Sequence, residues 1–452
     1  MHVLGLSVFG PGTAAVLFVD GQLIAASTEA RFTRAADEAR FPESAIRFCL
    51  SRSRTLTGRA DVDRVAVVDW GDVRGGSPSR LPMAGLREAV VGWADKQTLR
   101  RRLRGLTGVA TEGVLFVDVV RAHAANAFLQ SPFETASVLV ADGDAADAVT
   151  ATGLGSGATL DLEAFARQPI EPGTLARLAT DLASQTGSTR LCVSGSRTSG
   201  IEPVTEILHG PDLTGLFVPP AADAGGAALG AALYLSHVAG GQPRSFVLEH
   251  AYWGRMITQS EAVATAEASE LTSVECDEDE LIARTAGLLA SGRTIGWAQE
   301  AAEWGARPLG HRSVLTGLAG PSSPAPSGAW SLAVPAEHLG DFVRLDRPGD
   351  QQLARFAALA FDLRDEMREA IFPQGAPGPV PVHAVVRAAN PRFHALLERM
   401  ATATDTPAVW QAPLARPGEP LANTGADALA VFQALSLDAL VVDRVVILKD
   451  LV

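Results

Sequence analysis

VLGLSVFGPGTAAVLFVDGQLIAAS, residues 3–27, decides the fold. Short runs rich in Val, Leu and Ala are separated by a Gly-Pro-Gly turn at 10–12 and by Asp20-Gly21. Apolar runs joined by an Asp-Gly dipeptide predict a β-hairpin, because both residues tolerate the positive φ of a tight two-residue turn. The same rhythm returns in SVLVADGDAADAVTATGLGSGATLDL, residues 137–162, with a turn at Asp142-Gly143 and a Gly-rich turn before ATLDL. A strand–turn–strand–turn–strand unit present twice predicts a duplicated subdomain.

Working outward, PESAIRFCLSRSR (42–54) carries apolar residues at helical spacing after a Pro-Glu start. AADAGGAALGAALYLSHVAG (221–240) predicts a small-residue helix able to pack closely on a sheet, with Asp223 at its entrance. The pattern breaks at 241–258, the predicted domain boundary. Beyond it, DEDELIARTAGLLASGRTIGWAQ (277–299) reads as helix, Gly turn and strand. Pro/Gly-rich stretches at 318–330 and 372–381 read as loops. The last segments read as a helix, 426–435, and one strand, 438–449.

At 452 residues the chain exceeds one compact core. Its 47% hydrophobic and 20% charged composition is that of a globular α/β protein. A formal charge of −13 argues against nucleic acid as a partner, since phosphate backbones need a basic surface. Arg100, Arg101, Arg102 and Arg104 interrupt that acidity as a solvated helix end or an anchor for an acidic partner. No apolar run is long enough to cross a bilayer and no secretory signal opens the chain. Cys49, Cys192 and Cys276 form no pair pattern, so no disulfide framework or zinc ribbon is expected, and a cytoplasmic location is.

Five collinear stretches resemble the O-carbamoyltransferases of the tobramycin, cephamycin and nodulation-factor type. They are EARFTRAADEARFPESAIRFCL (29–50), HAANAFLQSPFETASVLVADG (123–143), PPAADAGGAALGAALYLSHV (219–238), EWGARPLGHRSVL (303–315) and GEPLANTGADALAVFQALSLDALVV (418–442). The resemblance implies an actin-like (ASKHA, Kae1-like) domain over 1–250 and a YrdC/Sua5-like α/β domain over 259–452. In that family the second domain makes a carbamoyl-adenylate from carbamoyl phosphate and ATP. The first then passes the carbamoyl group to a substrate hydroxyl beside a metal.

Measured against that pattern, much is missing. Pro11 and Gly12 stand where the family has a His-Asp pair, and Val119 and Val120 where it has two imidazoles. An alkyl side chain has no lone pair, so neither can hold a metal. Gly200 stands for an Asn, Ala301 for a phosphate-binding Arg, and WQAPLA (410–415) for an Asn-rich loop. The middle region between Asp142 and the SGSRTSG loop (194–200) is short. His123, Asp142 and Asp223 remain as the expected catalytic cluster, or as a weak metal set. Arg31, Arg34, Arg307 and Arg312 remain as expected anion-binding groups, with Asp37 nearby in sequence.

Three readings follow. The chain is a repurposed enzyme that performs elimination, cyclisation or group transfer on a phosphorylated or sulfated biosynthetic intermediate; or it retains carbamoyl transfer; or it is a non-catalytic protein partner of another pathway enzyme. The missing anion-binding and metal-binding side chains put both ATP and a divalent metal in doubt as cofactors.

Overall fold

The computed structural model describes residues 1–10, 12–70, 96–208, 210, 212–318, 330–346, 350–372 and 378–449. Pro11 and the centres of the two expected loops, 319–329 and 373–377, lie outside the described residues. The chain divides into two compact units, Met1–Leu248 and Glu249–Val452.

In unit 1 the first sheet is built from β1 (His2–Ser7), β2 (Ala14–Val19), β3 (Gln22–Thr28), β4 (Arg64–Asp69) and β5 (Val114–Asp118). The second comes from β6 (Thr135–Asp142), β7 (Ala148–Ser156), β8 (Thr159–Gln168), β9 (Arg190–Ser194) and β10 (Gly215–Phe217). Their orders are β3-β2-β1-β4-β5 and β8-β7-β6-β9-β10. Strand for strand these are one plan: an antiparallel three-strand meander extended by two parallel strands. Unit 1 is therefore a duplicated, actin-like α/β fold.

The Asp20-Gly21 hairpin forms as expected, with φ of 49° and 79° and Val19 paired to Gln22. Asp142 differs from expectation. It is the last residue of β6, paired with Val149, and the connection runs on through a 3₁₀ turn at Ala145–Asp147. The reason is that its carboxylate accepts the Ser196 N–H from a neighbouring loop, at 2.9 Å, rather than closing a turn of its own.

Helices α1 (Ala30–Thr33), α2 (Glu43–Thr57), α3 (Lys96–Thr107), α4 (Val119–Phe128), α5 (Thr174–Thr186), α6 (Ile201–Leu208) and α7 (Ala224–Leu233) complete the unit. On α3 the basic cluster is partly spent internally. Arg102 lies 3.9 Å over the Phe41 ring and bonds Glu43, and Arg100 lies 5.1 Å over Phe116. All ten residues of α7 are buried. A Cβ at Gly230 would stand 1.8 Å from the Ala122 carbonyl on α4, and one at Gly5 on β1 would stand 2.1 Å from the Ala228 carbonyl. The Gly/Ala composition of α7 thus brings its backbone into direct contact with α4 and β1.

Unit 2 holds β11 (Tyr252–Met256), β12 (Thr272–Glu275), β13 (Thr294–Ala298), β14 (Ala301–Glu303), β15 (Arg312–Thr316), β16 (Ser331–Pro335), β17 (Ala360–Phe361), β18 (Val380–Val385), β19 (Val409–Pro413), β20 (Ala439–Val442) and β21 (Val445–Leu448). Nine form one mixed sheet in the order β12-β21-β20-β13-β15-β19-β16-β18-β17, and β11 pairs with β14. The segment expected as one final strand is a hairpin, β20–β21, because Asp443 takes φ 46° and turns the chain. Helices α8 (Gln259–Ser269), α9 (Glu278–Ala290), α10 (Pro391–Thr404) and α11 (Gly425–Ala434) cover the sheet. Alternation assigns its two cores: Trp297, Val441 and Val446 pack with α9 and α10, whereas Ala298, Leu440 and Ile447 pack with α8 and α11. The three cysteines are free and buried. No helix among the described residues is long and apolar enough to cross a membrane.

The close α4–α7 contact makes a direct prediction. Gly230→Val should destabilise the protein by about 3 kcal/mol or more. Gly287→Ala on α9, where a Cβ meets nothing within 4 Å, should be neutral or slightly stabilising. Denaturant unfolding of the full chain checks both; an unmoved midpoint for Gly230→Val contradicts the packing.

Candidate functional site

The site starts at the N-terminus of α4. Asp118 caps the helix by accepting from the Val120 and Arg121 N–H groups, at 3.0 and 3.2 Å. Every residue of α4 except Arg121 is buried, so its two polar side chains, His123 and Asn126, must find partners inside the protein. Three residues apart, they share one face and meet Ser194 at the end of β9.

Ser194 Oγ donates to the Ala222 carbonyl at 3.2 Å and accepts from Asn126 Nδ2 at 3.0 Å. Its single proton is thereby used, so its 3.2 Å contact with His123 Nδ1 requires the imidazole to donate. His123 Nε2 is left buried without a hydrogen-bond partner, and it points at Asp142 Oδ1 3.5 Å away. His123 is fully enclosed and Asp142 is 5% exposed, so the carboxylate is the solvent-side member of the pair.

Burial pushes the Asp142 carboxyl upward, but the charge of His123 and the Ser196 and Gly143 N–H groups outweigh it and hold the group below its ordinary value. The loop that supplies Ser196 can approach because Gly195 takes φ 116°, where a Cβ would stand 2.1 Å from the Ala141 carbonyl.

Asp223 lies beside this pair without joining it. Its neighbour Ala222 accepts from Ser194 Oγ and from Gly195 N–H, but the Asp223 carboxylate caps α7 through Gly225 and Gly226. The first hairpin loop reaches the same helix end: a Cβ at Gly12 would stand 3.2 Å from Ala224 Cβ and 3.3 Å from Gly225 N. Thr13 then ties that loop to the arginine segment, its carbonyl accepting from Glu29 N–H and its hydroxyl donating to the Glu38 carbonyl. Arg31 is buried and Arg34 half-buried on that segment, and Asp37 is exposed. Asn126, Ser194 and Ser196 were not expected from sequence. Asn126 had one available signal, its three-residue spacing from His123.

In unit 2 the 303–315 stretch is structural. Glu303 Oε1 accepts from the Leu309, His311 and Arg312 N–H groups at 2.8–2.9 Å, folding the turn before β15. Arg312 is fully buried and donates to the carbonyls of Gln299, His311, Arg255 and Glu300. The expectation that Arg312 grips a ligand anion is corrected: its guanidinium is enclosed and committed to backbone. Arg307 donates to the Ala357 carbonyl at 2.6 Å, and burial brings it down to about 10.

Several known proteins are similar to this chain. The Carbamoyltransferase C-terminus family matches residues 331–449. The uncharacterized protein sll1178 of a Synechocystis species is 24% identical over 605 residues, covering 99% of this chain and 97% of that protein. Nodulation protein NolNO of Sinorhizobium fredii is 27% identical over 285 residues, 58% of this chain and 40% of the relative. Nodulation protein NolO of Bradyrhizobium diazoefficiens is 26% identical over 282 residues, 58% of this chain and 50% of the relative. The chain is thus similar to carbamoyltransferases, and its residues 331–449 match that family's C-terminal region. Because the span aligned with sll1178 exceeds the 452 residues of this chain, that relative carries segments without a counterpart in this sequence. Among solved structures, YeaZ from Pseudomonas aeruginosa gives a TM-score of 0.31 at 14% identity, over 55% of this chain and 98% of its own. The ROK hexokinase from Thermus thermophilus gives 0.30 at 14%, over 52% and 99%.

The metal implied by the family can be tested against these residues. His123 Nε2 and Asp142 Oδ1 are two convergent donors, but Val119 and Val120 are buried alkyl groups where further imidazoles would stand. Asp223 is not grouped with them among the described residues, and its Oδ1 caps α7. Two donors fall short of the three protein ligands that a catalytic site uses. Among the described residues these donors do not fit the metal that the resemblance implies: His123 and Asp142 form a pair, and Asp223 lies beside them as a helix cap.

Asp142 provides a pH test. Its folded value lies below its unfolded one, so its stabilisation is full above the ordinary carboxylate range and is lost as pH falls through the folded value. Asp142→Asn should cost about 1.5–3 kcal/mol at neutral pH, with the gap to the parent closing as pH drops below about 4. Unfolding midpoints of both proteins across that range check it; a gap independent of pH contradicts the charged pair.

Proposed function

We propose that unit 1 is a small-molecule site in which a metal-independent His123–Asp142 pair moves a proton, serving a non-carbamoyl step on an anionic biosynthetic intermediate. The observation that carries this reading is the imidazole itself: Nδ1 is held by Ser194 while Nε2, without a closer partner, faces the one carboxylate on the solvent side. Asp142 is the group that meets substrate. His123, fully enclosed, is a positioning residue that sets the charge of Asp142. Asp142 removes a proton from a substrate carbon or hydroxyl, and a phosphate or sulfate leaves toward Arg31 and Arg34.

Carbamoyl transfer would need metal ligands and several anion contacts that the chain does not have in the expected places. Each lost charged contact costs about 2–5 kcal/mol. Unit 2, a mixed sheet with helices on both faces, is read as the family's YrdC/Sua5-like domain kept as a scaffold. Three free, buried cysteines suit a reducing cytoplasm. One observation favours a second reading: the complete burial of His123 also suits a non-catalytic partner of another biosynthetic enzyme.

Two measurements separate the readings. Calorimetric titration with carbamoyl phosphate and ATP should give no saturable binding; tight binding of both would return the chain to O-carbamoyl transfer. Asp142→Asn, folded at neutral pH, should abolish formation of the pathway product in the producing cell. Undiminished product would sink the catalytic reading and leave the partner role.

A further inference from the structure

A group of side chains of metal-ligand type lies in unit 2, on elements that carry no part of the His123 site. The 3₁₀ turn Ala336–His338, directly after β16, faces α10. That helix begins at Pro391 after an Asn390 cap that accepts from Phe393 N–H at 3.1 Å, which fixes its phase. Phe393, Leu396, Leu397 and Met400 enter the core, and His394 and Glu398, four residues apart, share the face toward the turn.

His394 Nε2 lies 2.7 Å from Glu337 Oε1, and donor atoms of Glu337, His394 and Glu398 all fall within 4.8 Å of one another. His338 adds a second imidazole, its Nε2 3.8 Å from Glu398 Oε1. Its other nitrogen, Nδ1, is 3.0 Å from Asp341 Oδ2. A carboxylate on the far nitrogen is what orients metal-bound imidazoles and raises their basicity. His394 is 1% exposed whereas Glu337, Glu398 and His338 are half open to solvent, so the group has a rigid floor and a route in for an ion. Arg387 acts on Glu337 and offsets only part of the charge of three carboxylates.

We propose that Glu337, His394 and Glu398, completed by His338, bind a divalent transition ion of the zinc type as a clamp between the turn after β16 and α10. Two imidazoles and two carboxylates are a borderline donor set that suits such an ion better than magnesium or calcium. With ligand bonds of about 2.0–2.2 Å, donors around one ion lie up to about 4 Å apart, so side-chain rotation closes the remaining gap.

The test uses untagged full-length protein stripped with chelator. Titration with Co²⁺, followed by visible absorption, and with Zn²⁺, followed by calorimetry and thermal unfolding, should show one equivalent bound and a raised unfolding temperature. Glu398→Gln and His338→Ala, both at the surface, should each weaken binding at least about tenfold, while Asp142→Asn leaves it unchanged. Absence of saturable binding, or binding kept at full strength in both surface variants, overturns the proposal. Loss of the ion in Asp142→Asn also overturns it, and would restore a metal to unit 1 at the expense of the reading given above.

Discussion

The contact between the backbones of α4 and α7 is the constraint on which unit 1 depends. Gly230 lets α7 come down on the Ala122 carbonyl, and Gly5 lets it rest against β1 at the same time. A helix with larger side chains would stand off by several ångströms, and the segment leading into it would move with it. That segment carries the carbonyls of Ala221 and Ala222, which receive Asn126 and Ser194. Without them the Ser194 hydroxyl would lose the acceptor that dictates its proton, and with it the imidazole orientation. The orientation of a buried imidazole thus follows from helix packing.

Loss of ligands and retention of scaffold are compatible because different groups do the two jobs. In unit 2 the charged residues of the 303–315 stretch bind backbone: Glu303 folds a turn and Arg312 gathers four carbonyls. Removing either would leave buried polar groups unpaired, which costs several kcal/mol. Such residues persist whatever reaction the protein performs. Val119 and Val120, by contrast, bury alkyl groups in an already apolar helix without penalty to the fold. Resemblance in the 303–315 stretch therefore reports architecture, because its charged residues bind backbone.

Much of the architecture was legible in the sequence because it rests on local rules. Alternating apolar runs, the Asp20-Gly21 turn and the small-residue helix each fix their structure over a few residues. What escaped was set by distant contacts. Asp142 reads as a turn residue until Ser196 arrives from the loop after β9, and residues 438–449 read as one strand until Asp443 turns, its carboxylate bonded to Arg392 at 2.9 Å. Of the expected cluster the structure brings His123 and Asp142 together, whereas Ser194 and Asn126 depend on the meeting of α4 with β9. Arg312 was misread because a sequence does not show whether a guanidinium faces a ligand or a ring of carbonyls.

The central claim is that His123 donates from Nδ1 to Ser194 and faces Asp142 through Nε2 without an intervening metal. Nitrogen-15 resonances of the histidine side chains, followed while a divalent transition metal is added, test it most directly. The account predicts a protonated His123 Nδ1 whose signals do not respond to the metal. A His123 protonated only on Nε2, or one whose Nε2 signal shifts or disappears at one equivalent of metal, would contradict it.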